Sequence, residues 1–515
     1  MLRAGDFGDA VAIRAGEYER TYRELVERCT RLAHHLLNSG LRAGDCVAIM
    51  VEDGLRAIEP HLACALAGLV IVPVNARFRS SEVEHIIVDS GARAVIHSAG
   101  VFDVLQESTI PDVMLRVSTG GAHADDTSAD YESCVTGGSP CPPPTVAISP
   151  DDLVMIGYTS GTTGRPKGAM MTNASGIAAI RANVVAFRVV PYGACAFSGS
   201  VSFTALFWAF IAPHLFLGAS IDFLQPNLTI ERWFERMERF QSTFTFVPTP
   251  YMNDFAVWAK QRPEAITALS GVCHSASAAT PEQRSLMLDA LGSTYIESFG
   301  MTESLAAVCA TTRMDSVGIS PADDLLKTIG RAIAPANVYA VADDGSRLGP
   351  GDVGELVIES PSLFVGYWQN RSATQRSLSD GRYWTGDIGH VDAHGYVYID
   401  GRKSELIISG GMNVYPAEIE AVLQSHPGVS EAAVLGIPHA RWGESVAAAV
   451  VLRPGFSLDD ASLIRHVSDR LASYKKPTSI TFVDALPRNA NLKVLKAELA
   501  QFFTVPPPTV DSPSR

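Results

Sequence analysis

Between residues 21 and 98 the hydrophobic period of the chain changes repeatedly, and that alternation restricts the fold more than any other feature. The stretch "TYRELVERCTRLAHHLLNSG" (21–40) sets Leu25, Leu32, Leu36 and Leu37 at helical spacing and ends on Gly40, after which comes the strand-like "CVAIMV". "EPHLACALAGLVIVPVN" supplies another helix and a short β-branched run. "SSEVEHIIVDSG" is helix-like again, and "ARAVIHS" repeats the strand signal. Helices interleaved with short apolar strands predict an α/β fold, a sheet with covering helices. No tandem repeats are visible.

At 515 residues the chain is too long for one ordinary core, so a large body and at least one further domain are expected. Residues 119–150 are rich in Gly, Ser, Asp and Pro and read as an exposed connection, after which the strand-like "LVMIGY" rejoins the same sheet. A firmer break lies near residue 400. There the hairpin-like "GYVYIDGRKSELIISGG" leads into a new helix, "NVYPAEIEAVLQSHPGV", and two strands, "AAVLGI" and "SVAAAVVL". The expected organisation is a large N-terminal α/β body over 1–402, a smaller α+β domain over 403–503, and a loose tail over 504–515.

The net charge of −14 is spread along the chain, which disfavours nucleic acid as a partner. Eight cysteines form no C-x-x-C pair, so reduced buried thiols and a cytoplasmic location are expected. The N-terminal "MLRAGDFGDAVAIRAG" has acidic residues where an export signal needs an apolar run. "ALFWAFIAPHLFLGASIDFL" (205–224) approaches the length of a membrane span, but Pro213, His214 and Asp222 interrupt it, and a buried helix is expected instead.

The loop "YTSGTTGRPKG" (158–168) carries too little side chain to build a core. Its hydroxyls, its close-approaching backbone N–H groups and the charge of Lys167 suit phosphate oxygens. It is not a Walker A loop, because Pro166 stands before the lysine where glycine is required.

The same loop, followed in order by "ESFGMTE" (297–303), "GELVIESPSLFVGYW" (354–368), "YWTGD" (383–387), "GRKSELIISGGMNVYPAEIE" (401–420) and "LPRNANLKVLK" (486–496), resembles the signature motifs of the adenylate-forming enzymes. That superfamily includes acyl-CoA and aryl-CoA synthetases, adenylation domains and luciferases, and the resemblance covers essentially the whole chain. It implies that Thr159, Ser160, Gly161, Thr162, Thr163 and Lys167 hold the phosphates of ATP. Phe299, with Gly300 and Met301, would flank the adenine, Thr302 would approach the α-phosphate, and Glu303 would hold Mg²⁺. Ala276 and Ser277 of "SAS" (275–277) would pass beside the adenine, Asp387 would accept the ribose hydroxyls, and Arg402 would help to hold the ribose or phosphate side. Lys493, six residues after Pro487, would bridge the attacking carboxylate and the α-phosphate and relieve their repulsion. The implied reaction joins a small carboxylic acid to AMP with loss of pyrophosphate, then passes the acyl group to coenzyme A. Between the steps the C-terminal domain would swing about a hinge at Ser404, withdrawing Lys493 and bringing up "ISGGMNVYP".

Three departures from the pattern leave the acceptor open. Ser404 stands where relatives carry Asp or Lys, Leu492 replaces the glycine before Lys493, and Met412 follows Gly410 and Gly411 where Glu or an aromatic is common. The alternatives to coenzyme A are a carrier protein, an amine, or nitrite activated for diazotisation of an aromatic amine; a non-catalytic nucleotide-binding scaffold is the alternative of a different class. In "SFTALFW" (202–208), Thr204 takes the place of the Asp of amino-acid-activating domains and of the gating His of many CoA ligases, which disfavours a free α-amino acid. Phe203, Thr204, Phe207, Trp208, His274 and Ser275 are the candidate lining of a flat, mostly apolar pocket for an aryl or medium-chain acid.

Overall fold

The structure, a computed structural model, describes all residues except 1–3, 17, 53, 111–112, 121–127, 137–141, 160–165, 200, 202–205, 225–227, 278, 306, 314, 316–325, 440, 490–493 and 504–515. The alternation read from residues 21–98 supplies three strands of a seven-stranded sheet. Its order is Ala129–Asp130, Leu115–Thr119, Ala94–Ser98, Cys46–Met50, Val70–Pro73, Leu153–Thr159 and Lys167–Thr172, parallel except for the last pair. Every residue of Cys46–Met50, Val70–Pro73 and Ala94–Ser98 is buried, which is why these strands read as unbroken apolar runs rather than as alternation. Helix Tyr22–Asn38 begins at a capping box: Thr21 Oγ1 accepts from the Glu24 N–H at 3.2 Å and the Glu24 carboxylate accepts from the Thr21 N–H at 2.8 Å.

The strand "LVMIGY" does rejoin this sheet, pairing parallel with Val70–Pro73. Residues 119–150, expected to be only an exposed connection, also hold strand Ala129–Asp130 and helix Tyr131–Thr136. The reason is one aromatic in a polar stretch: Tyr131 is fully buried and donates to Glu59 at 2.6 Å. The run at 205–224, expected as one buried helix, divides. A π-helical turn at Phe207–Ile211 continues into helix Ala212–Phe216, and the apolar residues beyond it form strand Ser220–Phe223. Asp222 sits in that strand because Arg236 neutralises it.

That strand belongs to a nine-stranded sheet of order Arg331–Ala332, Ala307–Ala310, Tyr295–Gly300, Gly271–His274, Phe244–Phe246, Ala194–Phe197, Ser220–Phe223, Val11–Ala15 and Tyr18–Thr21. From Tyr295–Gly300 to Val11–Ala15 the pairing is parallel, so the carboxyl ends of these strands share one edge of the sheet. Loops at such an edge are where open α/β sheets bind ligands.

The chain divides into two compact units. One comprises Met1–Tyr339, Val357–Thr385 and Val391–Tyr398; the other comprises Ala340–Leu356, Gly386–His390 and Ile399–Arg515. In the second unit, strands Met412–Val414, Ile407–Ser409, Gly443–Leu452 and Val429–His439 form an antiparallel sheet, with Ser479–Phe482 added in parallel to Gly443–Leu452. Ile419 and Leu423 of helix Pro416–Gln424 and Leu463 and Val467 of helix Asp460–Ser468 join the apolar core of that sheet. Among the described residues no helix is long and apolar enough to cross a membrane, and seven cysteines are free, buried thiols.

Candidate active site

In the first unit, three sequence-distant motifs meet on one short strand. Strand Lys167–Thr172 runs back from the phosphate-type loop, with Thr159 paired to Lys167 and the Thr159 hydroxyl 3.4 Å from the Lys167 carbonyl. Trp368 donates its N–H to the Gly168 carbonyl at 2.7 Å, and Met170 exchanges 2.9 Å bonds with Gly366 and Val365. Only glycine permits that approach at 168, where a Cβ would lie 2.5 Å from Ile156 and 3.4 Å from Trp368.

The segment so fastened carries the turn at Thr302–Ser304. Phe364 donates its N–H to the Glu303 carbonyl at 2.8 Å, and the Tyr367 hydroxyl donates to Glu303 Oε1 at 2.8 Å. Lys167 Nζ lies 5.5 Å from the centroid of the Tyr367 ring, within cation–π range. Burial, with the Glu303 carboxylate beside it, pushes the Tyr367 phenol far above its ordinary pKa, so it remains a donor. The result is a lysine, a phenol and a buried carboxylate in series. Phe299 and Gly300 end the strand leading into this turn and are half-buried, as are Met301 and Thr302.

The next loop along the same sheet edge is 275–277. Ser275 donates to the Ser298 carbonyl at 3.0 Å, Ala276 adopts φ +76°, and Ala276 and Ser277 are exposed. His274, expected in the substrate pocket, is fully buried and has partners on both ring nitrogens, Glu297 on Nδ1 at 3.0 Å and Thr249 on Nε2 at 2.8 Å. Phe207 and Trp208 are buried in the π-helical turn. Phe207 stacks on His61 at 4.7 Å, and the indole N–H of Trp208 points to the Met155 sulfur at 3.2 Å. Ser160, Gly161, Thr162, Thr163, Phe203, Thr204, Leu492 and Lys493 lie outside the described residues.

The second unit carries its own constellation. Asp387 is buried and ion-paired with Arg402 Nε at 2.7 Å. Gly386, at φ +72°, turns the strand just before it, and the Gly386 N–H donates to Glu355 Oε1 at 3.1 Å. The other oxygen of Glu355 accepts from Lys403 at 2.9 Å, beside the exposed Ser404. Lys496 is clamped between Glu405 at 2.7 Å and Glu420 at 2.9 Å. Burial opposes its charge, but the two carboxylates outweigh it and raise its pKa.

Sequence reasoning assigned no role to Tyr367, Glu355 or Thr249. The first two lie inside a recognised motif, where a hydroxyl in an apolar turn and an acid after Gly354 were the available signals.

Two α/β sheets, one carrying the phosphate-type loop and the other the buried carboxylate of Glu303, accompanied by a second α+β unit in which buried Asp387 pairs with exposed Arg402, define a nucleotide-using α/β protein. Comparison makes this specific: residues 2–368 match the AMP-binding enzyme family, residues 418–493 match the AMP-binding enzyme C-terminal domain, and the chain belongs to that family. It is 32% identical over 502 residues to a feruloyl-CoA synthase from Amycolatopsis sp., covering 96% of each chain. It is 31% identical to the fatty acid–[acyl-carrier-protein] ligase ScoC of Streptomyces coeruleorubidus, over 94% of this chain and 91% of that one. Among solved structures, amide bond synthetase McbA from Marinactinospora thermotolerans superimposes with a TM-score of 0.86 at 25% identity, covering 98% of this chain and 99% of that one.

Proposed function

We propose that this chain is an ATP-dependent, AMP-forming ligase that activates an aryl or medium-chain carboxylic acid as its acyl-adenylate and transfers the acyl group to coenzyme A. The observation that carries the proposal is the convergence of Lys167, Tyr367 and Glu303 through Gly168, Phe364 and Trp368. A cation and a buried carboxylate joined through one phenol are what a departing pyrophosphate requires.

Glu303 offers one hard oxygen ligand, and among the described residues no cluster of three or more metal-ligating side chains exists. That fits Mg²⁺, which takes one or two carboxylates and completes its shell with phosphate oxygens and water. When bound, it neutralises the charge that develops as pyrophosphate leaves. Tyr367 orients the carboxylate, Thr302 faces the α-phosphate, and Lys167 attracts the outer phosphates. Asp387 and Arg402 bind the ribose, and Lys493 brings the acid to the α-phosphorus. The domain boundary near 402, the hinge at Ser404 and a cytoplasmic location belong to the same proposal.

Coenzyme A is the favoured acceptor because the feruloyl-CoA synthase matches over nearly the full chain. ScoC and McbA keep a carrier protein and an amine as the alternatives to exclude. Mass spectrometry of protein, ATP, Mg²⁺ and a panel of aryl and aliphatic acids, with and without coenzyme A, decides the matter. One acid is expected to give adenylate alone and thioester on adding coenzyme A; adenylate that coenzyme A leaves untouched would redirect the search to another acceptor. Lys493→Ala is expected to abolish adenylate formation while thioester still forms from supplied acyl-adenylate.

A further inference from the structure

Both stems of the phosphate-type loop are tied to one face of a single helix. Helix Ser80–Ser90 sets His85 and Asp89 four residues apart and therefore on the same side. On the strand that enters the loop, the Tyr158 hydroxyl donates to Asp89 Oδ2 at 2.6 Å. Burial, with the Asp89 carboxylate beside it, pushes that phenol far above its ordinary pKa, so it stays a donor. On the other stem the ladder ends at the pair of Thr159 with Lys167, and Pro166, one residue beyond, has no N–H to extend it. The Pro166 carbonyl lies 2.9 Å from His85 Nε2. A carbonyl only accepts, so that nitrogen carries the hydrogen and donates.

The helix is itself anchored to the same strand. The Asp89 carbonyl, one of those that a helix end leaves without an intrahelical donor, accepts the indole N–H of Trp368 at 2.9 Å. Trp368 also gives its backbone N–H to the Gly168 carbonyl, and the His85 ring meets the Tyr158 ring edge-on, with centroids 6.2 Å apart. Lys167 is thus bracketed, His85 holding the residue before it and Trp368 the residue after it.

Resting on the proposal that Lys167 attracts the outer phosphates of ATP, the geometry points to His85 as a positioning residue for Lys167, acting through the Pro166 carbonyl, with Asp89 holding the opposite stem through Tyr158. Neither side chain needs to touch the nucleotide. A lysine carries its charge on a flexible stem, so where the ammonium can reach depends on where its backbone is fixed. Without the His85 donor the Pro166 carbonyl turns towards water, and the peptide it shares with Lys167 turns with it.

The test measures ATP binding by calorimetric titration and, separately, pyrophosphate release with the accepted acid. His85→Leu keeps bulk and removes the donor; it is expected to weaken ATP about tenfold and to raise KM for ATP while KM for the acid stays as it is. His85→Gln, which returns an N–H at a similar reach, is expected to restore most of that affinity. Tyr158→Phe, which cuts the tie on the other stem and leaves the helix untouched, is expected to weaken ATP in the same selective way. In a Lys167→Met background His85→Leu is expected to add nothing, because its effect passes through the missing ammonium. Full additivity in that background, a Gln variant as weak as Leu, or unchanged ATP affinity in His85→Leu would each overturn the inference while leaving adenylation intact. The expected pattern of ATP affinities without pyrophosphate release from any acid would sink the adenylation proposal and leave the role of His85 standing.

Discussion

At the scale of single residues, the proposed chemistry leans most on the bond from Tyr367 to Glu303. A hydrogen bond to a charged group contributes about 1.5–3 kcal/mol. Removing it from a buried carboxylate also leaves that oxygen to find another partner, so Tyr367→Phe is expected to slow adenylation tenfold or more. Reaction of supplied acyl-adenylate with the acceptor should slow far less, and equal losses in both half-reactions would assign Tyr367 to folding instead. Glu303 and Lys167 were legible in the sequence only in the company of the other motifs, since a carboxylate after Gly-Met-Thr or a lysine in a Gly/Thr loop, seen alone, reads equally well as turn or surface chemistry. Tyr367 was not, because nothing in local spacing records that a residue 64 positions downstream folds onto Glu303. His274 shows the converse: the sequence marked it as a pocket residue, and only the structure reveals that it is buried with both nitrogens engaged, by Glu297 and Thr249.

At the scale of elements, period and turn chemistry gave most helices and strands of the first hundred residues. They failed where burial and periodicity part company, as at 205–224, where the same apolar composition serves a π-helical turn, a helix and a strand. In the second unit the decisive tie joins Lys496 to both Glu405 and Glu420, and Glu420 also accepts the backbone N–H of Val434 at 2.8 Å. One cation thus joins the C-terminal run, the turn after Ser404 and helix Pro416–Gln424. Lys496→Met would leave two carboxylates facing each other without it. The pair is partly exposed, so the expected loss is on the order of 1–3 kcal/mol, below that of a fully buried pair. It should appear as faster hydrogen exchange in helix Pro416–Gln424, with Lys496→Arg largely restoring protection. Unchanged exchange would show that Glu405 and Glu420 do not need the cation.

At the scale of the whole molecule, the sequence suggested a break near 400 but not that the second unit also draws in Ala340–Leu356 and Gly386–His390, since such interleaving depends on non-local pairing. The body bears a further consequence of its size: His61 and His214 are buried, as His97 and His274 are. His61 Nδ1 lies 2.7 Å from the Ala57 carbonyl and His214 Nδ1 2.5 Å from the Phe210 carbonyl, so each ring is neutral with its hydrogen on Nδ1. Burial pushes both pKa values down, from an ordinary 6.5 to about 4. Between those limits the unfolded chain binds protons that the folded chain refuses, so stability rises with pH across that window. The contribution is fully present above about pH 6.5 and is lost as pH falls towards 4, at most about 3 kcal/mol for each histidine. Melting temperature should therefore fall steeply below pH 6.5. His61→Phe keeps the stacking on Phe207, and His214→Phe keeps the contact with Phe244, so the double variant is expected to show a flatter acid limb with its neutral-pH stability largely retained. An acid limb as steep as that of the wild type would mean that acid lability originates elsewhere, the network of buried Arg28 and Glu59 with half-buried Glu132 being the next place to look.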